Sequence, residues 1–511
     1  MQVDWTIYLT FLGVGLILLL PSESKTLVRW VALATGVAAL TVALRNYFDY
    51  NNWVNVTIAA HGALQDGFVQ VVNVPWIPVL NVKYHLAVDG ISYPLIVLNG
   101  FVCVTGILFS WNIEHRVKEF FAFFLTLIGG VYGVFMAMDL FLLLVFYELA
   151  IIPKYFIIAI WGSTRKEYGA MKLVLYSFVG SALVLIGILA AYVAAGGQTF
   201  DILELAKRPI APEVQVWVFP LIFLGFAVLA GIWPFHTWAP TGHVAAPTAA
   251  SMLLAGVVMK LGSYGCFRAA MLLFPQGLDH WKWWIAWLAV IGIVYGAGVA
   301  LVQKDFKFII GYSSVSHMGF VLLGLATLNL IGMSGAILQM FSHGIVASLL
   351  FAVVGRMVYD RTHTRQLDQL GGLARVIPLA CVTFVIAGAA SMGMPGFSGF
   401  VAEYQILVGA FHMHPLLALG AGLSIPLTVA YILNANDKAF MDQDKPAGAG
   451  GHGQAHPSGG GDSHSDLPPI TVPEGIAAFI LMALLVIIGV YPSIMLNMIK
   501  ANVQLFLHGA S

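Results

Sequence analysis

Charge is what this sequence has least of. Asp, Glu, Lys and Arg together make up 9% of its 511 residues, where an average soluble protein carries about 25%. So few charges could not clothe the surface of a large globule, which excludes the string of soluble domains that length alone would suggest. Net charge is zero. With no basic surplus there is no face for a phosphate backbone, so nucleic acid is excluded as a partner. Cysteine is scarce as well: Cys103, Cys266 and Cys381 share no short spacing and sit in or beside apolar runs. That excludes a disulfide framework or a metal knuckle and leaves three small buried residues. A basic leader and a small-residue cleavage site are also missing, so the run after Asp4 and Trp5 is expected to be a spanning helix and not a removed signal peptide.

What the sequence does have is apolar bulk. Hydrophobic residues make up 59% of the chain, with 33 Phe, 18 Tyr and 13 Trp, which excludes disorder. The fold class expected is an all-α polytopic membrane protein. One crossing takes about 20 mostly apolar residues. Candidate spans fall near 5–20, 27–44, 88–110, 119–137, 139–160, 170–195, 214–233, 244–270, 283–303, 308–328, 332–358, 376–412, 415–435 and 473–497, fourteen in all. The twelfth is too long for one straight crossing and contains Met394-Pro395-Gly396; the seventh ends at Trp233-Pro234-Phe235-His236. Both read as broken helices, tolerated at membrane depth only inside protein or along a wet cavity.

The two breaks lie five spans apart, and five is odd, so a five-helix repeat would reverse its topology. Discontinuous helices at matching places in inverted halves point to an ion path at the repeat interface. The organisation expected is therefore 1–110 for three N-terminal helices, 111–275 and 276–436 for two inverted five-helix repeats, and 473–511 for the last helix. Between them, 437–472 is a Gly-, His- and Pro-containing stretch that reads as a flexible cytoplasmic linker. Its His452, His456 and His464 have no second ligand type at short spacing and are assigned no metal.

Lys and Arg gather on inner loops of membrane proteins. With the N-terminus outside, fifteen of the 24 fall on inner loops and helix ends, among them Lys25, Arg116, Lys307, Arg356 and Arg365. Seven fall outside, namely Arg45, Lys83, Lys207, Arg208, Arg268, Lys282 and Lys500. Both termini are thus expected on the outer, periplasmic side of a bacterial inner membrane.

Ionisable side chains within a span are costly and are functional candidates by default. Glu148, Lys260 and Glu403 stand inside apolar runs, as do His317 and His343. These five are the candidate proton-exchanging residues. A static polar glue between helices is the alternative, though Ser or Asn would serve that purpose at lower cost. Lys154, six residues past Glu148 and about 240° around the helix, is expected to snorkel to the inner rim. Asp139 reads equally as an exit group or an N-cap. No phosphate loop, iron–sulfur cysteine cluster or Ser–His–Asp grouping stands out, so redox chemistry is expected on partner subunits and no cofactor in this chain.

Several motifs resemble one family. Pro234-Phe-His-Thr-Trp, Ala246-Pro-Thr-Ala-Ala-Ser with Leu254-Ala-Gly-Val-Val-Met-Lys-Leu-Gly, Ile310-Gly-Tyr-Ser-Ser-Val-Ser-His-Met-Gly-Phe, Tyr359-Asp-Arg-Thr-His-Thr-Arg-Gln-Leu-Asp and Gly393-Met-Pro-Gly-Phe with Phe400-Val-Ala-Glu are similar to the antiporter-like membrane subunits of proton-pumping NADH:quinone oxidoreductase, respiratory complex I. The NuoM-type chain, chain 4, is the nearest type, since no long lateral helix of the L-type follows the last span. The resemblance implies fourteen helices in two inverted five-helix repeats, with Glu148, Lys260 and Glu403 matching the family's glutamate, lysine and glutamate of the fifth, eighth and twelfth helices. It also implies proton translocation driven by quinone reduction elsewhere, with L-type and N-type chains and lipids as partners and NADH and quinone bound by other subunits. A related cation/proton antiporter or membrane hydrogenase, or a non-pumping spacer, is the alternative.

One position departs from the pattern. The family places a lysine five residues before Pro-Phe-His; here it is Leu229. The first half-channel is therefore expected to be altered, with Lys260 as the partner of Glu148 or with His236 and His243 as replacement carriers.

Overall fold

The computed structural model describes residues 2–61, 67–442 and 467–509. Within them, twelve helices are long and apolar enough to cross a membrane, and Trp5–Leu19 and Pro378–Ser391 are shorter apolar helices. Of the expected linker 437–472, residues 443–466 with the three histidines lie outside the described residues, and its first residues, Asp437–Met441, form a π-helical turn.

Three helices form the centre. The most apolar windows of Thr248–Met271 and Leu330–Thr362 are 100% buried, and that of Ser92–Phe109 is 94% buried. Small residues allow this closeness: a side chain on Gly256 would meet Ser348 Oγ, and one on Gly344 would meet the Gly256 carbonyl at 2.7 Å. The peripheral helix Lys166–Ala194 turns Leu175, Val179, Ile186 and Val193 outward, an apolar face suited to lipid. Both long central helices contain π-helical turns, at Leu254–Val258, Cys266–Met271 and Ala352–Tyr359, a local rearrangement frequent at functional sites. The three cysteines are free and buried, as expected.

The breaks fall where Pro and Gly predict them. Pro212–Ala230 ends on Gly231 at φ +86, a left-handed cap that glycine adopts without a Cβ penalty, and the chain resumes as Trp238–Ala245. Pro378–Ser391 stops before Gly393 and Gly396, at φ +69 and +97, and Ser398–Met413 continues.

Elsewhere the structure adds what the apolar runs passed over. Val69–Ile77 and Val82–Val88 pair as an antiparallel hairpin, and Tyr50–His61 is a further helix. The last span is shorter than the 473–497 expected: Pro492 has no N–H to continue the ladder and keeps Tyr491 out of the helical region, at φ −129 and ψ 68. The chain therefore divides into Val472–Val490 and Ser493–Gly509. Glu474 fastens the first of these to the long central helix, accepting from Arg356 Nε at 2.6 Å and Arg361 Nη2 at 2.7 Å.

Candidate proton-exchange site

Four of the five expected residues meet in one buried row. Lys260 lies between two π-helical turns, and its Nζ donates to the Ala255 carbonyl and lies 2.9 Å from His343 Nδ1. The His343 ring sits beside that of His317, with centroids 5.3 Å apart. His317 Nδ1 is 2.9 Å from Glu403 Oε1, and its Nε2 is 3.0 Å from Ser391 Oγ. Gln339 Nε2 also donates to Glu403 Oε1, at 3.0 Å. A small cavity of about 10 Å³ lies among His317, Gln339, Ser342, His343, Ser391 and Glu403, comparable to the space of one water.

The second break serves this row directly. Ser391 ends one half-helix and Glu403 stands on the other. A side chain at Gly393 would sit 3.1 Å from Glu403 Oε2, so a bare backbone there leaves the carboxylate its room. Gln339 and Ser391 escaped the sequence reading, because neutral amides and hydroxyls in apolar runs are too common to single out.

Glu148 stands apart from the row. It is half-buried on Leu140–Trp161 and accepts from the Ser181 hydroxyl of the adjacent helix. Asp139 resolves as an N-cap, accepting from Phe141 N and Leu142 N at 2.9 and 3.1 Å. Leu229 is buried at 1% exposure, where its helix presses on Gly262, two residues from Lys260.

Lys154 corrects the expectation made for it. The side chain does not snorkel: it is 1% exposed, and its Nζ has no hydrogen-bond partner. The helical wheel rightly put it on a different face from Glu148, but that face turns inward to protein and not along the rim.

Between the two regions lies His243, with neither ring nitrogen hydrogen-bonded and the rings of Trp238 and Phe351 around it. Lys154, Lys260 and Lys307 all lie within its electrostatic reach. Lys307, counted with the inner rim in the sequence, is buried; its Nζ donates to the Ala246 carbonyl at 3.0 Å. It also lines a cavity of about 320 Å³, shared with Arg356, Tyr359 and Asp360. His236 is buried beside Tyr295 and Tyr312, with both nitrogens unpartnered.

Residues 137–428, which contain Glu148 and the whole buried row, match the family described as NADH:quinone oxidoreductase/Mrp antiporter, TM. The chain belongs to that family. Among curated relatives of this antiporter family, it is 34% identical to NADH-quinone oxidoreductase subunit M of Pseudomonas aeruginosa, over 99% of this chain and 97% of that one. It is likewise 34% identical to NAD(P)H-quinone oxidoreductase chain 4 3 of a Picosynechococcus strain, over 98% and 92%. Among solved structures it resembles a chain of respiratory complex I from Thermus thermophilus, at 27% identity and a TM-score of 0.84, over 99% of this chain and all of that one. The helical fold with its twelve candidate membrane spans is thus shared with that chain of respiratory complex I, and the resemblance read from the motifs holds.

Proposed function

We propose that this chain is a membrane-arm subunit of a proton-translocating NADH:quinone oxidoreductase and that protons cross through it by way of Lys260, His343, His317 and Glu403. The observation that carries the reading is the buried row itself. Two direct contacts and one ring-to-ring step join a lysine to a carboxylate across the centre of the bundle, and each member can gain or lose a proton. A chain built only to glue helices would not need four ionisable groups in hydrocarbon.

In this reading the fold comprises fourteen crossings in two inverted five-helix repeats, counting each broken helix once. Both termini lie on the periplasmic side of a bacterial inner membrane, and L-type and N-type antiporter-like chains flank it. NADH oxidation and quinone reduction belong to partner subunits, and this chain holds no redox group. The cavity beside Lys307 and Arg356 serves in this reading as the cytoplasmic entrance.

The test is NADH-driven acidification of vesicles carrying the intact complex, native against Lys260→Met. The proposal expects fewer protons per electron pair in the variant, with the complex still assembled; an unchanged ratio overturns it in favour of a spacer. The runner-up, a subunit of a cation/proton antiporter, predicts purification without NADH-oxidising subunits.

A further inference from the structure

Three lysines are buried among the described residues: Lys154, Lys260 and Lys307. The last two donate to carbonyls, but Lys154 Nζ donates to nothing. An ammonium without a partner in an apolar interior is costly, and a methionine of similar length would fill the same space without that cost. Packing therefore does not explain Lys154, and a static polar bridge would need a partner it lacks.

Its surroundings are specific. Glu148 lies six residues earlier on the same helix, about 9 Å along the axis, and is the carboxylate acting electrostatically on Lys154. The end of this helix is tied to the segment bearing His243. Ser163 N donates to the Ala245 carbonyl at 2.9 Å, and side chains at Gly162 or Gly169 would collide with Ala245. His243 is within electrostatic reach of both Lys154 and Lys260 and has two free ring nitrogens. Leu229, on the neighbouring helix, offers no ionisable group.

We propose that Lys154 is a proton-exchanging residue of the first half of the pathway, relaying protons between Glu148 and the His243–Lys260 side. The assignment rests on the proton-translocating reading given above. In the step, the Lys154 ammonium gives one proton, by way of water, to a ring nitrogen of His243 and becomes a neutral amine. One proton drawn from the side of Glu148 restores it, and His243 passes its own toward Lys260. One proton has then moved and no charge remains behind.

The experiment uses the whole complex in vesicles, with NADH oxidation and acidification recorded for native, Lys154→Met, Lys154→Arg and Lys260→Met. Arginine keeps the charge and much of the bulk but does not release its proton. The expected result is a proton-to-electron ratio lowered in Lys154→Met and equally in Lys154→Arg, with uncoupled NADH oxidation retained. A native ratio in Lys154→Met while Lys260→Met is impaired overturns the assignment and leaves the pathway reading intact. A native ratio in Lys154→Arg also overturns it, since a fixed charge would then suffice. If Lys154→Met does not assemble, Lys154→Arg decides alone. A native ratio in Lys260→Met overturns the pathway reading and the assignment with it.

Discussion

His317 holds Glu403 by one ring nitrogen, at 2.9 Å, and Ser391 by the other, at 3.0 Å, so that one imidazole spans the gap in a broken helix. The carboxylate of the second half-helix and the hydroxyl ending the first are thereby joined through one ring whose two nitrogens can carry or accept a proton.

Glu403→Gln keeps an acceptor for His317 and Gln339 but removes the carboxylate that could carry a proton. Coupled acidification should fall by about 100-fold, the low end of what a positioned proton-transfer group contributes, while the complex still assembles. Vesicle acidification against NADH consumption measures it.

Glu148 is fixed by the Ser181 hydroxyl. Glu148→Gln should lower the proton-to-electron ratio, whereas Ser181→Ala, which removes one hydrogen bond worth about 1 kcal/mol, should lower it much less. Equal effects would mean that position and not protonation matters at Glu148.

Glu474 takes two arginines, and Arg361 beside it is 4% exposed in its side chain. Glu474→Ala strands a buried guanidinium, a loss of about 3–5 kcal/mol, and removes the capping box with Thr471. The purified complex should lose this subunit at markedly lower temperature, and Glu474→Gln should be milder.

Outside the candidate membrane spans, the hairpin is pinned by Asp201. Its carboxylate is 2.7 Å from His85 Nδ1 and 3.8 Å from Lys83 Nζ. Burial pushes that carboxyl up, but the His85 hydrogen bond and the nearby positive charge outweigh it, and the net direction is down from 3.8. A lowered carboxyl stabilises the fold above the ordinary carboxylate range, and the contribution is lost as pH falls through the depressed value. Asp201→Asn should therefore be less stable than native near neutral pH and should converge with it below about pH 3.8, as followed by thermal unfolding at stepped pH.

Much of this was legible in the sequence, for identifiable reasons. Glu148, Lys260, His317, His343 and Glu403 stand out because an ionisable group is rare in an apolar run, and both helix breaks stand out because Pro and Gly cannot continue a ladder. Their pairings were not legible. Lys260 and His343 are 83 residues apart and His317 and Glu403 are 86, and no spacing rule reaches across separate helices. Lys154 was misjudged for a related reason: periodicity says which residues share a face, not whether that face meets lipid, rim or protein. Strands of nine and seven residues vanish beside twenty-residue apolar runs.

The central claim is that Lys260 and His343 conduct in series. The proton-to-electron ratio of the reconstituted complex, measured for Lys260→Met, His343→Gln and the double variant, tests it most directly. A series path predicts the same lowered ratio in all three, because a second break in a broken wire costs nothing further. Losses that add in the double variant, or a native ratio in either single one, would contradict the account.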